Sequence, residues 1–535
     1  MTAACALRNR NVNDGLTTTW EVLRKTKNVV AFEILIRAFD ESPRPEIREG
    51  ALRTLLNRRS VAGPKTLLAR WHELSDEWKE IVAENPGRMS AALRDAVLDT
   101  DHQTCANGCD TAVRICEYDL IPTLINAAED DANPLRDLSL QTLVDLSERL
   151  YEELSQPRDY SQRRDPRLMR AQIVSSPEKS VKRYGNHKCV KIIQVFLQLV
   201  GRDNATLKKI LKDPHEPSFI PIINALAQST RKGIMRLALS YLDDPHAPSS
   251  AVSVLSRRKD PAFLTYIFKK NGFEPSAAAK INLRRMDSID WVGKDPALVN
   301  DMDDACQHAA VQMVVASGMN RLEAFEFIRY LLKSGKPAGR RAAATALSEF
   351  NGAEANELAV ISLNDDDAGV QAKVAAQLRR RSIPGALGIL IGLLENSHEV
   401  VRNAARLSLS EFTSKKFLAF FDMLDEDVRF STGSLVRKVD RNVVSELIVE
   451  LEAPARTRRL RGLEIARCIG AAQAVEDQIV TLMDDGDHMV RAAAARALDT
   501  CPTDSARTAL HNALMDSSVA VQQAAGQSLQ LLSVD

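Results

Sequence analysis

Val490-Arg491-Ala492-Ala493-Ala494-Ala495-Arg496-Ala497-Leu498 is one of seven versions of a short helical phrase that recurs through the C-terminal part of the chain. The others read GRRAAATAL from Gly339, VQAKVAAQL from Val370, VRNAARLSL from Val401, VRFSTGSLV from Val428, LRGLEIARC from Leu460 and VQQAAGQSL from Val521. In chain order their starts lie 31, 31, 27, 32, 30 and 31 residues apart. A fixed period of about 20 to 50 residues signals stacked units, none of which can bury its apolar face alone. The expected fold is therefore all-α, a right-handed solenoid of antiparallel helix pairs, twelve to fourteen of them by length over period.

Each repeat reads as a first apolar helix, an acidic turn and then the phrase as a second helix. In Gly385 to Asn396 the residues Ile389, Leu390, Leu393 and Leu394 share one helical face. The turns Asn364-Asp365-Asp366-Asp367, Asp484-Asp485-Gly486-Asp487 and Met515-Asp516-Ser517 end one helix and cap the next. Alanines such as Ala492 to Ala495 keep the helix while letting a neighbouring layer approach.

The phrase resembles the HEAT-repeat family, in particular a short bacterial subtype similar to the helical repeats of phycobilisome lyases. The resemblance rests on the apolar-Arg-x-Ala-Ala pattern at Val401-Arg402 and Val490-Arg491, with an acidic residue a few positions upstream. It implies an Asp–Arg ladder between neighbouring repeats, assigned to Asp487 with Arg491 and more loosely to Glu395 with Arg402. Gln371 and Gln522 stand where the arginine would be, so the implied ladder lacks its cation there. Deoxyhypusine hydroxylase, an enzyme of this repeat family, holds iron through His-Glu pairs. The pairs His72-Glu73, His215-Glu216 and His398-Glu399 are too irregularly spaced to build that site.

Toward the N-terminus the period loosens. IREGALRTL from Ile47, MSAALRDAV from Met89 and LRDLSLQTL from Leu135 recur at 42 and 46 residues. The turns Asp213-Pro214-His215 and Asp244-Pro245-His246 restore an offset of 31. Four regions follow: irregular repeats over 1–150, a basic insertion or loop over 151–191, degenerate helical repeats over 192–320 and regular repeats over 321–535. Between Ser155 and Lys191 ten Lys or Arg face three acids, and Pro157, Pro166 and Pro177 break any long helix. A short helix is expected near Pro166 to Val174.

Lys plus Arg and Asp plus Glu are equal at 71 each, so no global field drives the chain onto nucleic acid or an anionic membrane. The longest apolar run, Ile192 to Val200, is interrupted by two glutamines and is shorter than the roughly 20 residues of a membrane span. The N-terminal stretch has no apolar secretory core, and eight scattered cysteines make no disulfide framework, which together predict a cytoplasmic setting. His102, Cys105, Cys109 and Cys116 form the densest group of soft ligands, but one Cys-x₃-Cys pair is not a zinc signature. Asn107-Gly108 reads as the end of one helix and Asp110 as the cap of the next. His215 and His246 read as solvated neighbours of capping aspartates, and the prolines as first-turn residues.

No nucleophile elbow and no strand-borne phosphate loop are present, so no catalyst or cofactor is nominated. The expected function is a non-catalytic scaffold or adaptor whose partner is another protein. Candidate partner-binding residues are Arg163, Arg164, Arg167, Arg170, Lys179, Lys182, Arg183, Tyr184 and Lys188 in the insertion, and Arg379, Arg380 and Arg381 further on. Arg456, Arg458, Arg459 and Arg461 are further basic spots or solvated helix ends. One alternative uses the insertion's cations on phosphates, with Tyr160 and Tyr184 stacking on bases, to bind single-stranded nucleic acid. A second is a metal-dependent enzyme on the same scaffold.

Overall fold

The computed structural model describes residues 14–58, 60–157, 165–272 and 274–533. Among these residues every regular element is an α-helix or a short 3-10 helix, arranged as stacked helix pairs: an all-α solenoid. No helix of the described residues is long and apolar enough to cross a membrane. Two compact units divide the chain, Met1–Leu298 with Ala316–Asn320, and Val299–Val315 with Arg321–Asp535.

In the first unit His102–Arg114 packs on Arg136–Ser155, which packs on Val190–Leu199, which in turn meets Phe219–Gln228 and Lys232–Ser240. One apolar cluster runs unbroken from Leu35 to Leu199. The helix His102–Arg114 passes straight through Asn107-Gly108, where an end was expected. Gly108 is there because of contact with the preceding helix: a Cβ would come within 3.0 Å of Ala96. Asn107 Nδ2 donates to the carbonyls of Leu68 and Ala69 at 2.9 and 3.1 Å, and Asp110 accepts from the Trp71 indole at 2.6 Å. A tertiary role thus explains all three residues that read locally as helix breakers. The Asp213 and Asp244 carboxylates each accept the backbone N–H two residues on, at 3.0 Å. They close turns well ahead of Phe219–Gln228 and Ser249–Arg257, so neither caps the start of the next helix and Pro214 and Pro245 lie outside any first turn.

In the second unit the phrase helices are α1 (Pro337–Ala346), α2 (Ala368–Ala375), α3 (Glu399–Ser408), α4 (Glu426–Val439), α5 (Arg456–Cys468), α6 (His488–Ala497) and α7 (Val519–Leu531). Each pairs with the helix before it, and successive phrase helices pack on one another except at α3 and α4, which barely touch. The phrase valines at 370, 401, 490 and 521 are fully buried.

The ladder runs from α1, α2, α5 and α6 to the turn of the next repeat. Arg340 pairs with Asp365 at 3.0 Å, Arg459 with Asp485 at 2.8 Å and Arg491 with Asp516 at 2.7 Å. Where the cation is missing the acid is missing too: Asn396 donates to Gln371 Oε1 at 3.2 Å, a neutral rung in the same place. Each rung residue also donates to a carbonyl of its own turn, Arg491 to Asp485 O at 2.8 Å and Gln371 to Asp365 O at 2.6 Å. The ladder between neighbouring repeats is present, but the pairs assigned to it, Asp487 with Arg491 and Glu395 with Arg402, are replaced. Asp487 caps α6 at Met489 and Val490 and pairs with Arg456, while Glu395 meets Lys438. Because Arg459 and not Arg461 is the rung, the fifth phrase aligns two residues earlier than its Leu460 start.

A second set of bonds ties repeats together at helix C-termini, whose last carbonyls have no partner within the helix. Arg381 donates to the carbonyls of Leu347 and Phe350, and Gln377 to that of Ala344. Arg258 does the same for Leu226 and Ser229, and Asn282 for Tyr241, Leu242 and Asp244.

Three outcomes follow for urea unfolding. Arg491→Gln and Asp516→Asn each destabilise by about 1–3 kcal/mol, and the double variant recovers a measurable part because a neutral rung fits this fold. The Arg491 guanidinium holds the Asp516 carboxyl down at about 2. A depressed carboxylate stabilises above its unfolded value of about 3.9, so the advantage of wild type over Asp516→Asn is full above about pH 5 and vanishes toward pH 2. Arg381→Ala costs about 2–3 kcal/mol by stranding buried carbonyls, whereas Arg380→Ala stays within about 0.5 kcal/mol.

Candidate protein-binding surface

The described part of the basic segment is helical rather than looped. Pro166–Ile173, Ser175–Lys182 and Tyr184–His187 follow one another, the first matching the expected short helix. Ser175–Lys182 packs on Ile121–Glu129 and Val190–Leu199. What fixes it is a buried polar cluster around Glu129. This carboxylate pairs with Arg183 at 2.8 Å and lies 3.8 Å from His187, a histidine that is 7% exposed. Burial alone would raise the Glu129 carboxyl, yet hydrogen bonds from Ser180 and Arg183 hold it below its ordinary value. His187 Nδ1 accepts from the Cys189 N–H at 3.0 Å, and Arg136 reaches both His187 O and Cys189 Sγ.

Several candidate groups are therefore engaged by the protein's own residues. Arg170 Nε donates to Leu199 O at 2.5 Å, and burial lowers its pKa. Arg183 serves Glu129, Lys182 pairs with Glu178 at 3.4 Å, and the Tyr184 ring stands edge-on to His187. Arg167, Lys179 and Lys188 are exposed and make no ion pair among the described residues. Tyr160, Arg163 and Arg164 lie outside the described residues.

The triplet at 379–381 also divides. Arg379 pairs with Glu411, Arg381 caps the neighbouring helix, and Arg380 is exposed without an ion pair among the described residues. Arg456, Arg458 and Arg459 pair with Asp487, Glu450 and Asp485 at 2.7 to 2.8 Å. Arg461 lies 4.0 Å from Asp422. A groove of about 730 Å³ runs along Arg456, Arg459, Asp485 and Asp487, and both of these arginines are already paired with its aspartates. Cys105 and Cys109 are buried side by side in the first unit's core, and among the described residues no group of three His, Cys, Asp or Glu could hold a metal.

The feature that stands out is the gap between α3 and α4, which no run of basic residues marks. Val428, whose counterparts at 370, 401, 490 and 521 are fully buried, is 43% exposed. Near it in sequence Phe420, Met423 and Phe430 are exposed, and on α3 a leucine, Leu407, stands 76% exposed at a phrase position that is exposed at Thr345, Ala376 and Arg496 too. The cause is legible at the sixth position of the phrase. Alanine or glycine stands there at Ala344, Ala375, Gly433, Ala495 and Gly526 and leucine at Leu463 of the realigned fifth phrase, but a charged residue, Arg406, occupies it in α3. Gly433 lets α4 lie against the end of α5, where a Cβ would meet Cys468 O at 2.7 Å. A guanidinium at the equivalent place holds α4 away from α3. The shortened offset of 27 between Val401 and Val428 was the other sign.

No family model matches this sequence, and no curated protein matches it. Solved structures of other proteins resemble it. A chain from a structure of the phosphorylation-switched cadherin–beta-catenin interaction is 11% identical, covering 94% of this chain and 99% of that one at a TM-score of 0.34. A chain from the Kap95p–RanGDP structure is 12% identical, covering 97% of this chain and 77% of that one at 0.27. Kap121p is 12% identical, covering 97% and 53% at 0.27. Scores this low transfer nothing about binding, and the fold rests on the helix stacking itself.

Proposed function

We propose that this chain is a non-catalytic scaffold or adaptor of the short HEAT-repeat type, and that it binds another protein. The observation that carries the reading is the exposed apolar surface of the second unit, concentrated between residues 420 and 430 where the stack is interrupted. Large apolar groups crowded on a surface leave water unfavourably ordered unless something covers them. The regular repeats on either side hold that surface in place through rungs and caps.

The basic segment supports nucleic-acid binding less well, since Arg170, Arg183 and Tyr184 are committed to the protein's own groups. A cytoplasmic, reducing setting goes with the scaffold reading, for the seven described cysteines are free and six are buried. The test is tandem-affinity purification from native cells with and without nuclease. A stoichiometric protein partner that survives nuclease and 150 mM salt is expected. Recovery of nucleic acid alone, lost as salt rises, would replace the scaffold with the nucleic-acid reading.

A further inference from the structure

The gap between α3 and α4 lacks more than packing. Arg402 is the rung residue of α3, homologous in place to Arg340 and Arg491. It donates to the carbonyls of its own turn, Asn396 O at 2.6 Å and Ser397 O at 2.9 Å. It has no carboxylate within ion-pair distance among the described residues, whereas Arg340 and Arg491 each hold one in two-pronged fashion. Beside it Arg406 donates only to Asn403 Oδ1, at 3.1 Å, and its buried Nε has no acceptor. Arg441 reaches in from the end of α4, held by Glu399 at 3.2 Å. Three guanidiniums thus share one carboxylate. Burial, together with Arg441 and Arg402, lowers the pKa of Arg406, as expected of a cation short of compensation.

The acids of the next turn do not fill the vacancy. Asp425, Glu426 and Asp427 are exposed at the start of α4, where the helix dipole already favours negative charge. Leu407, one residue beyond Arg406, and Val428 supply apolar surface on the two helices flanking the gap. Planar guanidiniums beside apolar anchors suit a carboxylate presented on an apolar support, and Arg grips carboxylates bidentately.

We propose that the α3–α4 gap binds an acidic amphipathic helix of a partner protein, one of whose carboxylates completes the missing rung on Arg402 and Arg406. This rests on the scaffold reading and names its site and partner chemistry. The bound helix lays its apolar side on Leu407 and Val428, as helix-in-groove partners do, and its Asp or Glu takes the place that Asp516 takes for Arg491.

The probe is a fluorescein-labelled helical peptide with leucines along one face and glutamates at i, i+4 on the adjacent one, read by anisotropy against the full chain. Its twin carries lysine for each glutamate. The glutamate peptide is expected to bind, and the twin at least tenfold more weakly. Arg402→Ala with Arg406→Ala is expected to weaken binding at least tenfold, and so is Leu407→Asp, an exposed position whose change disturbs no packing. Arg406→Ala alone is expected to melt no lower than wild type, since Ala495 fills that position in α6, and yet to bind less tightly. Equal binding of the twin, or affinity within twofold in both the arginine pair and Leu407→Asp, overturns the proposal. If a protein partner still co-purifies with those variants, only this site has failed. If wild type retains no protein, the scaffold reading has failed with it.

Discussion

A chain cut into helices of about ten residues leaves a large fraction of its backbone polar groups at helix ends, and everything else in this structure depends on how those ends are satisfied. Four N–H and four C=O groups per helix have no partner in their own helix. Long side chains from the next repeat supply many of the donors. Arg58, Arg258 and Arg381 reach back roughly one repeat to the C-terminal carbonyls of an earlier helix, and Asn107, Asn282 and Gln377 do so with amides. The Arg258 side chain is wholly buried and is matched by Asp260 at 2.9 Å and by the Phe263 ring. Neighbouring repeats are therefore joined by directional bonds as well as by apolar contact, and the bonds set the spacing.

The ladder shows that this spacing needs the hydrogen bonds more than the charges. Gln371 with Asn396 occupies the same place as Arg491 with Asp516, and both halves of the pair change together. A lone glutamine opposite aspartate, or a lone arginine opposite asparagine, would leave one group poorly matched in a half-buried site. Arg402 is the unmatched case that the chain retains.

The period, the helix pairs and the helical nature of the C-terminal array could all be read from the phrase, because apolar periodicity reports which face is buried. What could not be read was tertiary partnership. Asn107-Gly108 carries the local signature of a helix end, yet an adjacent helix needs the amide as a cap and the glycine as a point of contact. The ladder was visible as a pattern of Asp and Arg, but which repeat supplied each partner is a matter of superhelical offset that no local window contains. Basic residues in the 155–191 segment and at 379–381 looked free because their acceptors, Glu129 and the carbonyls of Leu347 and Phe350, are distant in sequence. Arg406 was on view throughout, the one charged residue in an otherwise uncharged column, and only the exposed Val428 gave that anomaly a meaning.

In a linear array each repeat is held mainly by its neighbours, so cooperativity spreads only as far as successive interfaces are strong. Where α3 meets α4 the rung, the close packing and the buried valine are all missing, and a continuous apolar cluster begins afresh at Phe417. The second unit is therefore expected to come apart first at this seam, with α1 to α3 on one side and α4 to α7 on the other. A ligand seated at that seam would bear on both sides and hold them together.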